Sequence, residues 1–302
     1  MSNIQGWLNI YKPLNISSFA IIRRIKKKFN IDKIGHGGTL DPLAEGILPI
    51  AVGKTTKLIP FINSDVKEYE FEIKWGEQTS TDDREGKIIE RTDNIPTLEN
   101  IKIKLKEFRG IIMQKPPKAS AKKIKGQRAY NLLRQNIDFE VGEKNVQIFE
   151  TKIINWENEL ITKIKIKCGK GFYVRSFARD LAEKLDSKGH VHSLKRTKVG
   201  KFNINNANLL DDLLKIGQRL HEFRGFHSSV SMLDDILAYE VDDEESKLNL
   251  SHGKAININI NLLNNPPLNL LDRKVIFLTN KGSVLSFGKL DGDLFKPDKV
   301  LI

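Results

Sequence analysis

Two stretches of this chain alternate apolar and polar side chains without a break, and they limit the possible folds more than any other feature. Over 69–75, Tyr69, Phe71, Ile73 and Trp75 fall on one side and Glu70, Glu72 and Lys74 on the other. Over 161–168, Lys163, Lys165 and Lys167 oppose Ile164, Ile166 and Cys168. A period of two is that of a strand with one face buried. Cys168 falls on the apolar face, where a buried, inert thiol is expected. Further strands are predicted over 6–12, ending at Pro13, and over Lys274–Thr279, Ser283–Leu290 and Leu294–Ile302. The last three are joined by turns at Asn280-Lys281-Gly282 and Asp291-Gly292-Asp293. Helical spacing appears over about 18–29, capped by Ser17 or Ser18, with Phe19, Ile22, Ile25 and Phe29 as the apolar stripe. Its other face carries Arg23, Arg24, Lys26, Lys27 and Lys28, which by itself is an ordinary solvated face. A second helix starts near Ser176, with the stripe Ala178, Leu181, Ala182 and Leu185.

The stretch with chemical potential is 35–46. Gly35, Gly37, Gly38 and Gly46 permit turns that a Cβ forbids. Among them sits one carboxylate, Asp41, followed by Pro42, which pushes the preceding residue toward extended geometry. With His36 close in sequence, Asp41 is placed as a nucleophile or base; an isolated Asp in such a setting would more often make an Asx turn. Gly53-Lys54-Thr55 could end a phosphate-binding loop, but that loop needs glycine five residues earlier, where this chain has Leu48.

Charge points to a polyanion. The 302 residues carry a net charge of +12. Residues 229–302 hold 8 Lys/Arg and 11 Asp/Glu, a net of −3, so 1–228 carry +15. Nucleic acid is the usual partner of such an excess. Ten basic residues against one acid, Glu107, lie between Lys102 and Arg128, in a loop-rich segment suited to phosphate contacts. Gly110 is predicted to stop the helix before it. The single cysteine excludes an internal disulfide and a cysteine-rich zinc site. No apolar run has the form of a signal peptide or a bilayer span, so a cytoplasmic protein is expected.

These pieces combine into a known pattern. Residues 35–58, GHGGTLDPLAEGILPIAVGKTTKL, resemble the catalytic segment of the TruB-type tRNA pseudouridine synthases. YKPLNISS at 11–18 is similar to that family's first motif, with Asn15 where glycine is usual; Asn tolerates the left-handed turn. KEYEF at 67–71, the acidic hairpin TSTDDREG at 79–86 and Gln114-Lys115-Pro116-Pro117-Lys118-Ala119-Ser120-Ala121-Lys122 follow in family order. Ala119 departs from the usual aromatic. CGKGFYVRSFARDLAEKL at 168–185, with the following HVHSLKRTKVGKF, resembles the third motif.

The resemblance spans nearly all of 6–202. It implies an α+β fold with a mixed, largely antiparallel sheet and flanking helices. Residues 1–228 would form the catalytic domain with a basic, mobile thumb at about 102–140. Residues 229–302 would form a linker helix, within 231–254, and a small PUA-like β domain. The implied reaction is isomerisation of uridine to pseudouridine at position 55, in the T-loop of tRNA, by base flipping. Asp41 is then the catalytic carboxylate, and Arg175 keeps it ionised and aimed. Tyr69 and Leu194 would hold the flipped ring, with Tyr69 also helping in the proton transfer at carbon; His36 would fill the vacated stack, and Lys12 and Tyr173 would support the pocket. Lys118, Lys122, Lys123, Lys125 and Arg128 would contact RNA. Asp82 and Asp83 read as turn chemistry with possible base contacts. No cofactor, metal, membrane or protein partner is implied beyond the T-arm of tRNA, and a monomer is expected. Two alternatives are a guide-RNA-dependent relative, which would be expected to carry a fuller C-terminal RNA domain, and a non-catalytic chaperone of tRNA folding.

Overall fold

The computed structural model describes residues 4–62, 66–120, 122–124, 126–135, 137–217, 219–233, 236–264 and 275–302. The chain opens with β1 (Gly6–Lys12), α1 (Ser18–Phe29), β2 (Ile34–His36), β3 (Ala44–Val52) and β4 (Lys67–Trp75). A short hairpin of β5 (Glu77–Thr79) and β6 (Ile88–Arg91), helix α2 (Leu98–Leu105) and strand β7 (Gly110–Gln114) come next. The basic segment holds β8 (Lys123–Ile124), β9 (Gln127–Arg128) and α3 (Ala129–Arg134). Then follow β10 (Lys144–Asn158), β11 (Ile161–Cys168), α4 (Val174–Glu183), β12 (Gly189–Val199), β13 (Phe202–Asn203), β14 (Asn208–Leu209), α5 (Leu210–Lys215) and β15 (Phe226–His227).

The main sheet runs β14-β1-β3-β12-β4-β11-β10-β7, with β2 on β3, β13 on β12 and β15 on β1. Among the described residues only β1–β14 and β3–β12 are parallel in this sheet, so it is mixed and largely antiparallel, as expected. The two alternating stretches are neighbours in it, with Ile164 opposite Phe71 and Ile166 opposite Tyr69. Their apolar faces pack on Phe177, Ala178 and Leu181 of α4 and on Ile101 and Leu105 of α2. Trp75 satisfies its buried indole by donating to Thr162 Oγ1 at 2.8 Å. Cys168 is fully buried, and burial pushes its thiol up to about 12, which leaves it protonated and unreactive.

Helix α1 begins at the Ser17 cap, whose hydroxyl accepts from the Ala20 N–H at 3.1 Å, and ends on left-handed Asn30. Its buried face is Ser18, Ile21, Ile22, Ile25 and Phe29. Phe19 is not part of the stripe; it is 71% exposed. At 3.6 residues per turn it lies nearly opposite Ile21, and Ile21 won the core position. Gly110 does not end a helix either. α2 stops at Leu105, one 3₁₀ turn follows over Lys106–Phe108, and Gly110, at φ +91°, starts the edge strand.

The C-terminal part contains β16 (Ala238–Glu240), α6 (Glu244–Ser251), β17 (Ile256–Asn257), β18 (Ile276–Asn280), β19 (Ser283–Asp291) and β20 (Leu294–Val300). These strands form a second sheet in the order β16-β18-β19-β20-β17. The predicted helix within 231–254 shrinks to α6, capped by Asp243, because Ala238–Glu240 is taken into the sheet beside β18. Lys274, the expected start of β18, lies outside the described residues. The β18–β19 turn has Lys281 and Gly282 at φ 47° and 77°, the pair of positive angles that a tight hairpin needs. Phe277, Val284, Phe287 and Leu301 share an apolar cluster with Trp7, Ile47 and Phe202 of the first sheet and with Leu58 of the 3₁₀ turn after β3. The Trp7 indole also donates to the Ser229 carbonyl at 2.9 Å. Among the described residues no helix is long and apolar enough to cross a membrane.

Candidate active site

The loop between β2 and β3 carries Asp41, and side chains from three other segments fix it residue by residue. Ser18, at the head of α1, accepts from the Leu40 N–H at 2.9 Å and donates to the Leu40 carbonyl at 2.8 Å. On the far side of Asp41, the Pro42 carbonyl accepts from the Asn15 N–H at 2.9 Å and from Lys12 Nζ at 3.2 Å. Asn15 is left-handed, φ 61°, as its place in the motif requires. Lys12 is fully buried and also donates to the carbonyls of Pro13 and Ile16, at 2.9 and 2.7 Å. Burial pulls its ammonium down to about 8, with Asp41 pulling the other way.

Arg196, on β12, holds the start of the loop. Its guanidinium donates to the carbonyls of Gly38 at 3.0 Å, Thr39 at 3.5 Å and Ile47 at 2.8 Å, and it is 1% exposed. Gly38 sits at φ +120° there. Gly46 permits the parallel approach of β3 to β12, because a Cβ on it would run into the Arg196 carbonyl.

Asp41 faces a cleft of about 520 Å³ whose walls include Tyr69, Tyr173, Arg175, Leu194, Arg196 and Gly38. Arg175 Nη2 reaches Asp41 Oδ2 at 2.9 Å, and Nη1 reaches Asp83 Oδ2 at 3.3 Å. The Arg175 side chain is only 7% exposed and that of Asp83 4%, whereas Asp41 remains 38% open to the cleft. The same guanidinium donates to the carbonyls of Thr81 at 3.2 Å and Ala119 at 3.0 Å. One arginine thus binds the loop, the acidic hairpin and the basic segment together. At position 119 it is the main chain that Arg175 uses, so this contact does not depend on the side chain. Gln114 braces the entry to α4 through both main-chain groups of Tyr173, accepting from its N–H at 2.8 Å and donating to its carbonyl at 3.1 Å.

Tyr69 and Leu194 line the cleft, and burial raises the Tyr69 hydroxyl above its ordinary range, with the Arg196 charge opposing. Tyr173 is also raised by burial; the ammonium of Lys144 lies 4.6 Å from its ring centre. His36 ends β2 beside the cleft. Its Nδ1 is buried with no hydrogen-bond partner among the described residues, and burial, then the Arg196 charge, lowers its basicity. In the basic segment, Lys118 pairs with Asp138 at 3.3 Å and Lys122 donates to the Gly142 carbonyl at 2.8 Å. Arg128 is exposed on β9. Lys123 contributes main chain to β8, and Lys125 lies outside the described residues.

The acidic hairpin has a more definite role than a turn. Asp83 pairs with Arg175, and Asp82 pairs with Arg179 at 2.9 Å, burial raising the Asp82 carboxyl against the pull of Arg179. Among the described residues no group of three potential metal ligands is assembled. Arg196 was not singled out from the sequence. Its signal was a charged residue two positions from Leu194, on a strand face where a period of two puts both side chains together.

Residues 26–174 match the family model described as TruB family pseudouridylate synthase (N terminal domain). A tRNA pseudouridine synthase B of Caulobacter vibrioides is 41% identical over 84% of this chain and 81% of its own length. The chain belongs to the TruB family. Another relative of that name, from Agrobacterium fabrum, is 34% identical and aligns over 98% of this chain and 94% of its own. The TruB fold is also matched by a solved Cbf5-Nop10-Gar1 complex at a TM-score of 0.72, with 20% identity, over 98% of this chain and 85% of that one.

Proposed function

We propose that this TruB family member isomerises uridine to pseudouridine at position 55, in the T-loop of tRNA, as a single chain without a guide RNA. Relatives aligned over most of their length carry the name tRNA pseudouridine synthase B. The observation that carries the chemistry is the carboxylate of Asp41, open to the cleft and held at 2.9 Å by the buried Arg175. The reaction breaks the bond from ribose C1′ to N1, turns the base and joins C1′ to C5. A proton leaves C5 and one ends on N1, so atoms balance with no redox partner and no cofactor. Asp41 serves for attack on the ribose or the base, or as a base at the sugar. Tyr69 and Leu194 hold the flipped ring; burial keeps the Tyr69 phenol neutral, which favours support and hydrogen-bond donation over proton abstraction. His36 fills the space that the uridine leaves, and the basic segment grips phosphates.

In this reading residues 1–228 form the catalytic unit, the segment from about 102 to 140 is the thumb, and 229–302 are accessory. The protein works as a monomer in the cytoplasm, where tRNA is its partner. Purified protein and an unmodified tRNA transcript test the proposal. Pseudouridine should form at U55 and nowhere in a U55C transcript. Turnover that appears only on adding a guide RNA, or tRNA binding with no isomerisation, would overturn it.

Arg196 yields a separate expectation. Lysine keeps the charge but loses the planar fork that joins three carbonyls. Arg196→Lys should slow single-turnover isomerisation on the order of 10²-fold, the size of a small misplacement of reacting groups, with tRNA affinity unchanged. Equal losses in rate and affinity would show that Arg196 holds RNA instead.

A further inference from the structure

A second hollow, of about 590 Å³, adjoins the cleft on the other side of β2. Phe19, Arg23 and Lys26 of α1 form one wall, and Lys33, Gly35 and Ile59 belong to the other. Ile59 lines both hollows, and Gly35 faces this one while Gly37 faces the cleft.

The sequence pattern placed Phe19 in the core, yet the structure leaves it 71% exposed. Positions 19, 23 and 26 are spaced four and three apart, so the ring and two cations share one helix face. Arg23, Lys26 and Lys33 are all exposed, and among the described residues none of them is in an ion pair. Asp32 is the one acid in the lining. A solvated basic face explains the cations but not the open phenyl ring among them. An aromatic platform flanked by positive charge is what an unpaired nucleotide recognises, its base on the ring and its phosphates on the cations.

We propose that this hollow binds an unpaired nucleotide flanking the target uridine in the same RNA loop, stacked on Phe19 with its phosphates on Arg23, Lys26 and Lys33. The shared Ile59 wall makes the two sites neighbours, which argues for one continuous strand. The inference rests on the tRNA reading above. It concerns affinity, since none of these α1 side chains lines the cleft.

The test compares wild type, Phe19→Ala, Phe19→Tyr and the Arg23→Ala/Lys26→Ala pair, on whole tRNA and on an isolated T-arm hairpin. Phe19→Ala should weaken binding about tenfold on both RNAs, the loss of one stacked base, with unchanged turnover at saturation and unchanged melting temperature. Phe19→Tyr should bind like wild type. The charge pair should reduce the salt slope of binding by about 1.4, or about 0.7 per single-strand phosphate contact. Unchanged affinity for Phe19→Ala, failure of tyrosine to rescue, or a loss confined to whole tRNA would each overturn the proposal. If wild type modifies neither RNA, the functional reading itself fails, which is a different result.

Discussion

Asp41→Asn is expected to give a folded protein that binds tRNA as wild type does and forms pseudouridine slower by on the order of 10⁴-fold or more, the scale seen when a nucleophile is removed. Asparagine keeps the shape of the side chain and its contact with Arg175, but it supplies no carboxylate. The fold should tolerate the change for three reasons. Asp41 is 38% exposed, its neighbours Leu40 and Pro42 are held through main-chain groups, and Arg175 keeps Asp83 as an ion partner. Single-turnover kinetics with saturating enzyme, beside a binding titration and a melting curve, separate these quantities. A variant that isomerises uridine within about tenfold of wild type would remove Asp41 from the chemistry and leave the cleft in need of another group.

The two features that announced themselves in the sequence were those with a strict local signal. Alternation at 69–75 and 161–168 depends on a period that any half-buried strand must show, and both strands pair in the main sheet. The pairing of Arg175 with Asp41 was read from a motif resemblance, and the two side chains do meet. What the sequence concealed was set by partners far away along the chain. Asp82 and Asp83 look like turn residues until α4 brings Arg179 and Arg175 against them. Arg196 looks like one more cation in a basic chain until its strand buries it beneath three carbonyls. Phe19 and Ile21 lie on nearly opposite sides of α1, and spacing alone could not choose which side meets the core. The helix expected within 231–254 is shortened to α6 for the same reason, since Ala238–Glu240 had a strand edge available beside β18.

Arg175→Met should cost both activity and stability, and a second change should separate the two. Methionine fills much of the space but leaves the Asp83 carboxylate, 4% exposed, without its cation. Breaking a buried pair by removing one partner typically costs about 3 kcal/mol, because the remaining charge stays desolvated. Here Asp83 Oδ1 keeps two donors, the Thr81 hydroxyl at 2.6 Å and the Glu85 N–H at 3.1 Å, so the loss should fall at or below that figure. Adding Asp83→Asn removes the orphaned charge and retains an acceptor for those donors. Arg175→Met/Asp83→Asn should therefore recover most of the lost unfolding free energy in a denaturant titration. It should not recover turnover, because Asp41 still lacks the guanidinium that aims it across the cleft. Stability without activity in the double variant assigns Arg175 an orienting role toward Asp41. Recovery of both would mean that Arg175 serves chiefly to neutralise Asp83, and that Asp41 holds its position through the ties on Leu40 and Pro42 alone.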